Sequence, residues 1–235
     1  YTDGLVFDDD IKLTSNERKK LENRGGSGVL RVLIDKEMQI AEHNIILGLN
    51  IPNYPNSTNN SIKSGLEIGE DNPSFTPFHA FGPDKGTRTC PVCKYGRYHG
   101  IVFFVGNNPN WNEIKEWLTF LEQESIKRKK YLKAYFVYGN EKKYSKSNRQ
   151  IELEQLGLEL NLKNTALTFV PSLSDTESEV HLNKINPEVE NTIIIYRYRN
   201  IIGKFINLKP SRANQNKVSN MLDKTINELP APKHN

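Results

Sequence analysis

The sequence predicts an α/β protein, a mixed sheet of mainly parallel strands flanked by helices. Three observations carry that expectation. Residues 101–105 (IVFFV) form an unbroken apolar run of strand length, as in a strand covered on both faces. Ile114, Trp117, Leu118 and Leu121 follow at helical spacing, and strand and helix patterns continue to alternate down the chain. The last two strands, 192–198 and 201–208, are joined by a tight turn near Asn200 and add an antiparallel edge.

The chain has 235 residues, 36% hydrophobic and 26% charged, with a mean hydropathy of −0.63. That composition supplies a sizeable core and excludes disorder throughout. No apolar run approaches the roughly 20 residues that a membrane-spanning helix needs. Lys and Arg number 32 against 28 Asp and Glu, leaving a net charge of +4. The basic residues are scattered apart from Lys127, Arg128, Lys129 and Lys130, which fall at the end of a predicted helix and complement its dipole there. No nucleic-acid partner is therefore expected. Tyr1 rather than Met stands first, which suggests that something was removed, either a signal segment or a piece that belonged to the expressed form; the first alternative leads to the expectation of an exported protein, periplasmic or extracellular.

Taken in order, residues 1–28 are polar, with acidic Asp8, Asp9 and Asp10 and glycines at 25, 26 and 28, and read as an arm. Residues 29–34 and 38–47 read as strands of a β-hairpin turning at 35–37, and 50–64, with Pro52 and Pro55, reads as loop. The expected layout is an arm, hairpin and loop over 1–64, a main domain over 65–229 and a tail over 230–235. In the main domain Asn110 is a helix N-cap, with Glu113 spaced to reach back to the N–H of the cap. Further strands are expected at 135–138 and 167–170, a helix at 147–160, and a short helical stretch at 178–185. The final helix begins at Ser211, shows Val218, Met221, Leu222 and Ile226 on one stripe, and ends before Pro230 and Pro232.

The two cysteines of the sequence, Cys90 and Cys93, stand in a C-P-V-C motif. This spacing brings two sulfurs close enough to form a small disulfide or to share a metal, and it suits a thiol whose pKa is lowered by helix N–H groups. The residues leave three readings open. The first is redox chemistry, with Cys90 attacking, Cys93 resolving, and Lys94 or His99 assisting electrostatically. The second is a structural or inert pair. The third is a metal site completed by His79 and His99, although their spacing is not that of a zinc finger. No cofactor is expected.

The element order resembles the thioredoxin-like fold in its redoxin or peroxiredoxin-like form, and the motif is similar to that superfamily's redox motif. The resemblance implies a thiol-disulfide oxidoreductase acting on a protein thiol or disulfide partner through Cys90 and Cys93. The alternative is a redoxin-like binding domain without catalysis. Two departures stand in the sequence. The family's pair follows a core strand and opens the next helix, whereas Cys90 and Cys93 precede the strand and the loop 106–111 has no cysteine. The family's cis-proline precedes the strand that begins at Thr192 here, and that place holds Asn191.

Other features have plainer explanations. Residues 82–86 (GPDKG) lack the context of a phosphate loop and read as a turn. Ser172, Ser174, Asp175 and His181 lack a nucleophile elbow. The aromatic set Phe75, Phe78, Phe81, Tyr95 and Tyr98 is expected to serve as core rather than as a peptide-binding face.

Overall fold

A computed structural model describes residues 62–229 and the backbone of 29–34 and 40–46. The chain forms two compact units, Tyr1–Asn60 and Ser61–Asn235. In the first, β1 (Val29–Ile34) pairs antiparallel with β2 (Ile40–Ile46), the expected hairpin. The expected arm, the loop 50–61 and the tail 230–235 lie outside the described residues.

The second unit is built on a six-stranded sheet. Its strands are β3 (Phe78–Phe81), β4 (His99–Val105), β5 (Leu132–Tyr138), β6 (Thr165–Phe169), β7 (Thr192–Arg197) and β8 (Asn200–Ile206), in spatial order β3-β6-β5-β4-β7-β8. Its helices are α1 (Pro91–Tyr95), α2 (Trp111–Arg128), α3 (Lys146–Glu159) and α4 (Arg212–Lys224). The β4, β5 and β6 strands are parallel, with α2 and α3 as their crossovers, while β7 runs antiparallel to both β4 and β8. This is the mixed sheet the sequence predicts, with 101–105 at its centre. Every residue of β4 is buried, because both faces of the sheet are covered.

Alternation along β4 splits the core in two. Ile101, Phe103 and Val105 pack with Trp117, Leu121, Leu153, Val218 and Leu222 under α2, α3 and α4. Val102 and Phe104 face the other way, onto Phe75, Val92, Val180 and Ile185. The close spacing of β4 and β7 depends on Gly100, since a Cβ there would overlap the Tyr196 ring lying across the strand. Trp117 is fully buried and its Nε1–H donates to Leu208 O at 2.9 Å, so the indole is both packed and satisfied.

Several expectations change in detail. Strand β3, absent from the sequence reading, pairs antiparallel with β6 and forms one edge. Residues 178–185 hold only a single 3-10 turn, Val180–Asn183, because Glu179 and Lys184 on either side take left-handed φ values of 62° and 53° that no helix can continue through. Asn110 caps α2 by accepting from Glu113 N, but the reciprocal bond is not made: Glu113 Oε1 instead accepts from Lys209 Nζ at 2.9 Å. The basic run does close α2, with Arg128 turned inward between Glu124 and Asp223. Of the aromatic set, Phe75 is fully buried against Phe104, and Phe78 and Phe81 pack beside the α3 core, as expected of core residues.

Candidate functional site

The C-P-V-C segment is not a plain loop. Pro91 presets the first helical φ and α1 extends for a little over one turn, with Cys90 as its N-cap and Cys93 N donating to Cys90 Sγ at 3.1 Å. Cys90 thus stands at a helix N-terminus, although that helix precedes β4 instead of following it. Five residues are too few to leave a periodic signature. Cys90 and Cys93 form a disulfide with Cα atoms 5.3 Å apart.

The approach to α1 is held by side chains. His79 on β3 lies between the two ends of the segment that leads into Cys90, with Nδ1 3.1 Å from Pro83 O and Nε2 2.9 Å from Thr89 O, and its ring N–H donates to one of these carbonyls. Lys94 bonds to Asp84, and that bond holds its ammonium pKa above the usual lysine value. Asp84 thereby anchors α1 and occupies the lysine that the sequence offered as an electrostatic helper. The two sulfurs differ in surroundings. Cys90 is half-buried and packs on the core cluster of Phe75, Val92 and Val102, whereas Cys93 is exposed. Cys93 Sγ lies 3.3 Å from Ser74 Oγ, and Ser74 Oγ accepts from Arg199 Nη2 at 3.2 Å.

His99 cannot assist this pair. It shares a face of β4 with Ile101 and Phe103, on the other side of the sheet from Cys90 and Val92, and its Nε2 lies 2.7 Å from Thr225 Oγ1. Burial, followed by the charges of Arg128 and Arg197, lowers its pKa to about 4. His79 and His99 therefore do not converge with the cysteines into the tetrahedral set considered from sequence, because they lie on opposite faces of the sheet, His79 against Tyr135 and His99 beside Ile101 and Phe103. Ser172 and Ser174 bond to each other at 2.9 Å, and no triad forms with His181.

The loop after β4, where the resembled family carries its cysteines, is an asparagine network. Asn107 Nδ2 donates to Glu188 Oε1 at 2.6 Å and Asn108 Nδ2 to Glu188 O at 2.9 Å. Asn191 is buried, and its side chain pairs with the backbone of Leu208, accepting at 3.0 Å and donating at 3.2 Å. It extends the β7–β8 ladder instead of presenting a docking edge. A cleft of about 500 Å³ opens beside this loop, lined by Trp111, Tyr138, Asn140, Lys143 and Arg149 among others. Arg149 is buried in its wall, 3.8 Å over the Tyr138 ring, with Nη2 donating to Asn140 O and Lys143 O. The sequence reading missed this cleft, since its residues are spread over two loops, the end of β5 and two helices.

Solved structures share this architecture at low sequence identity. A candidate thiol:disulfide interchange protein DsbE from Chlorobium tepidum is 13% identical, with a TM-score of 0.51, covering 68% of this chain and 99% of its own. A conserved protein of uncharacterized role from Geobacillus kaustophilus is 13% identical with a TM-score of 0.52, covering 72% and 86%. A candidate protein disulfide isomerase from Bacteroides thetaiotaomicron is 11% identical with a TM-score of 0.50, covering 71% and 98%. No protein-family profile matches the chain, and no curated protein does. The chain has a thioredoxin-like fold, and its C-P-V-C pair precedes β4.

Proposed function

We propose that the chain exchanges disulfides with protein thiols through Cys90 and Cys93. The observation that carries this reading is the disulfide closing α1, which joins an exposed residue, Cys93, to a half-buried one, Cys90, whose sulfur caps the helix. Such a bridge is a poor staple. A loop of so few residues returns only about 2 kcal/mol of chain entropy, so opening it costs the fold little. The domain that carries the activity is 65–229, with the arm, hairpin and loop of 1–64 as an extension. An exported location agrees with the chemistry, because disulfides persist in oxidising compartments.

Exchange is slow beside that of a thioredoxin. Helix α1 offers few aligned N–H groups to hold a thiolate, and Asn191, bonded to Leu208, gives the partner backbone no edge to dock on. Insulin reduction and thiol titration on the wild type and on Cys90→Ser test this. Slow turnover that the substitution abolishes is expected. Activity that survives in Cys90→Ser contradicts the reading.

A second reading rests on the other end of the sheet. The cleft walled by Tyr138 and Arg149 stands at the carboxyl ends of β4 and β5, where open α/β sheets hold ligands. A binding domain without catalysis would use that cleft and leave the disulfide intact.

A further inference from the structure

Resting on the exchange reading, we propose that the polarity of the pair is inverted: Cys93 is the sulfur that a partner thiolate attacks and becomes bonded to, and Cys90 is the leaving and returning thiolate. The sequence points the other way, since by analogy with the superfamily the first cysteine attacks. The surroundings of the two sulfurs reverse that order.

Attack on a disulfide needs access to one sulfur on the side away from the other. Cys93 is exposed, whereas Cys90 packs on the cluster of Phe75, Val92 and Val102. Pro91 and Val92 are both buried, so α1 docks by its first turn and turns Cys93 and Lys94 outward. The leaving group is equally well defined. When the partner thiolate forms its bond to Cys93 Sγ, the electron pair of the broken bond passes to Cys90 Sγ, which already accepts the Cys93 N–H at 3.1 Å from the N-cap position.

The steps balance. One partner thiolate yields the mixed disulfide on Cys93 and a Cys90 thiolate. A second thiolate of the partner then attacks the partner's own sulfur, giving a partner disulfide and a Cys93 thiolate. Two electrons enter the Cys90–Cys93 pair, and solvent protonates the thiolates. In reverse, Cys90 expels the partner from the mixed disulfide.

Ser74 and Arg199 are the positioning residues of this site. A disulfide sulfur carries no hydrogen, so the Ser74 hydroxyl, accepting from Arg199, has its own hydrogen free for Cys93 Sγ. Arg199 is placed with some insistence. Tyr198 and Arg199 make the two-residue β7–β8 turn with φ values of 49° and 68°, a conformation that favours Asn and Gly. Its stem lies against Gly96 at the end of α1, where a Cβ would come within 2.9 Å of Arg199 Cγ. Asn72 N donates to Arg199 O at 2.7 Å, docking the segment that carries Ser74 onto the same turn. Arg199 makes no ion pair with another described residue, which leaves a positive charge two hydrogen bonds from Cys93. The favoured partner is therefore a thiol with negative charge beside it, such as a cysteine in an acidic peptide.

The test uses the full oxidised chain with mercaptoacetate as the probe. The reaction is quenched with N-ethylmaleimide, and fragment masses assign each cysteine. The expected product carries mercaptoacetate on Cys93 and maleimide on Cys90. The opposite assignment, or an equal mixture, overturns the inverted polarity while leaving exchange intact. No adduct at any thiol concentration overturns both. In parallel, Arg199→Gln is expected to slow mercaptoacetate about threefold or more at low salt without slowing cysteamine, an effect that salt erases. Equal slowing of both thiols overturns the role of Arg199, since a merely structural role would not distinguish their charges.

Discussion

Lowering the pH from 7 to 4 should weaken the fold through one histidine. His99 is fully buried at the start of β4, and its pKa is lowered to about 4 by burial first and then by the charges of Arg128 and Arg197. Glu228 and Asp223 act in the opposite direction without offsetting this. The sign follows from linkage: between about 6.5 and 4 the unfolded chain binds a proton here that the folded chain refuses, so stability falls as pH falls through that window. Above about 6.5 the effect is absent. Moving a histidine pKa from 6.5 to about 4 converts to about 3 kcal/mol, and partial solvent relaxation brings the expected loss to about 2–3 kcal/mol. Carboxylates with lowered pKa values, among them Asp223 and Glu122, lose stability in the lower part of the same range and must be separated. Urea unfolding of wild type and His99→Gln at pH 7, 5.5 and 4 does so. The free-energy difference between the two proteins should move by about 2–3 kcal/mol in favour of the variant from pH 7 to pH 4. Profiles that stay parallel to within about 0.5 kcal/mol would refute the reasoning.

Two further outcomes follow from the same physics. Glu122 is buried, and burial alone would raise its pKa. The Asn164 side chain and the N–H groups of Thr165, Lys163 and Asn164 more than offset this and hold it low, so Glu122→Gln should cost about 2–3 kcal/mol in urea unfolding at pH 7. Replacing both Cys90 and Cys93 by Ser should cost no more than about 2 kcal/mol by the same assay; a loss approaching 5 kcal/mol would mark the bridge as a staple.

Strands β4 and β7 and helix α2 were legible because each is long and strongly patterned: five apolar residues in a row, Ile193, Ile194 and Ile195, and the stripe of Ile114, Trp117, Leu118 and Leu121. Strand β3 and helix α1 were not, since four and five residues hold too little periodicity to register. The proximity of Cys90 and Cys93 followed from spacing alone. Which of the two residues is the more exposed did not, because spacing is symmetrical and exposure is decided by how Pro91 and Val92 dock on the sheet. A partial signal was present in the order apolar, apolar, then Cys93 and Lys94. Nothing in the sequence near Cys93 pointed to Ser74 or Arg199, which arrive from 19 residues before it and from the β7–β8 turn. His79 and His99 were weighed as ligands because they flank the cysteines in sequence, but strand alternation and the sheet separate them.

The central claim is that the Cys90–Cys93 bridge is exchangeable. The most direct measurement is its reduction potential, obtained by equilibrating the full chain in glutathione buffers of graded ratio and counting alkylated thiols by mass. A reversible two-electron transition above about −270 mV, in the range of working oxidoreductases, is the predicted result. A bridge that stays closed to below about −300 mV would behave as a structural disulfide and contradict the account.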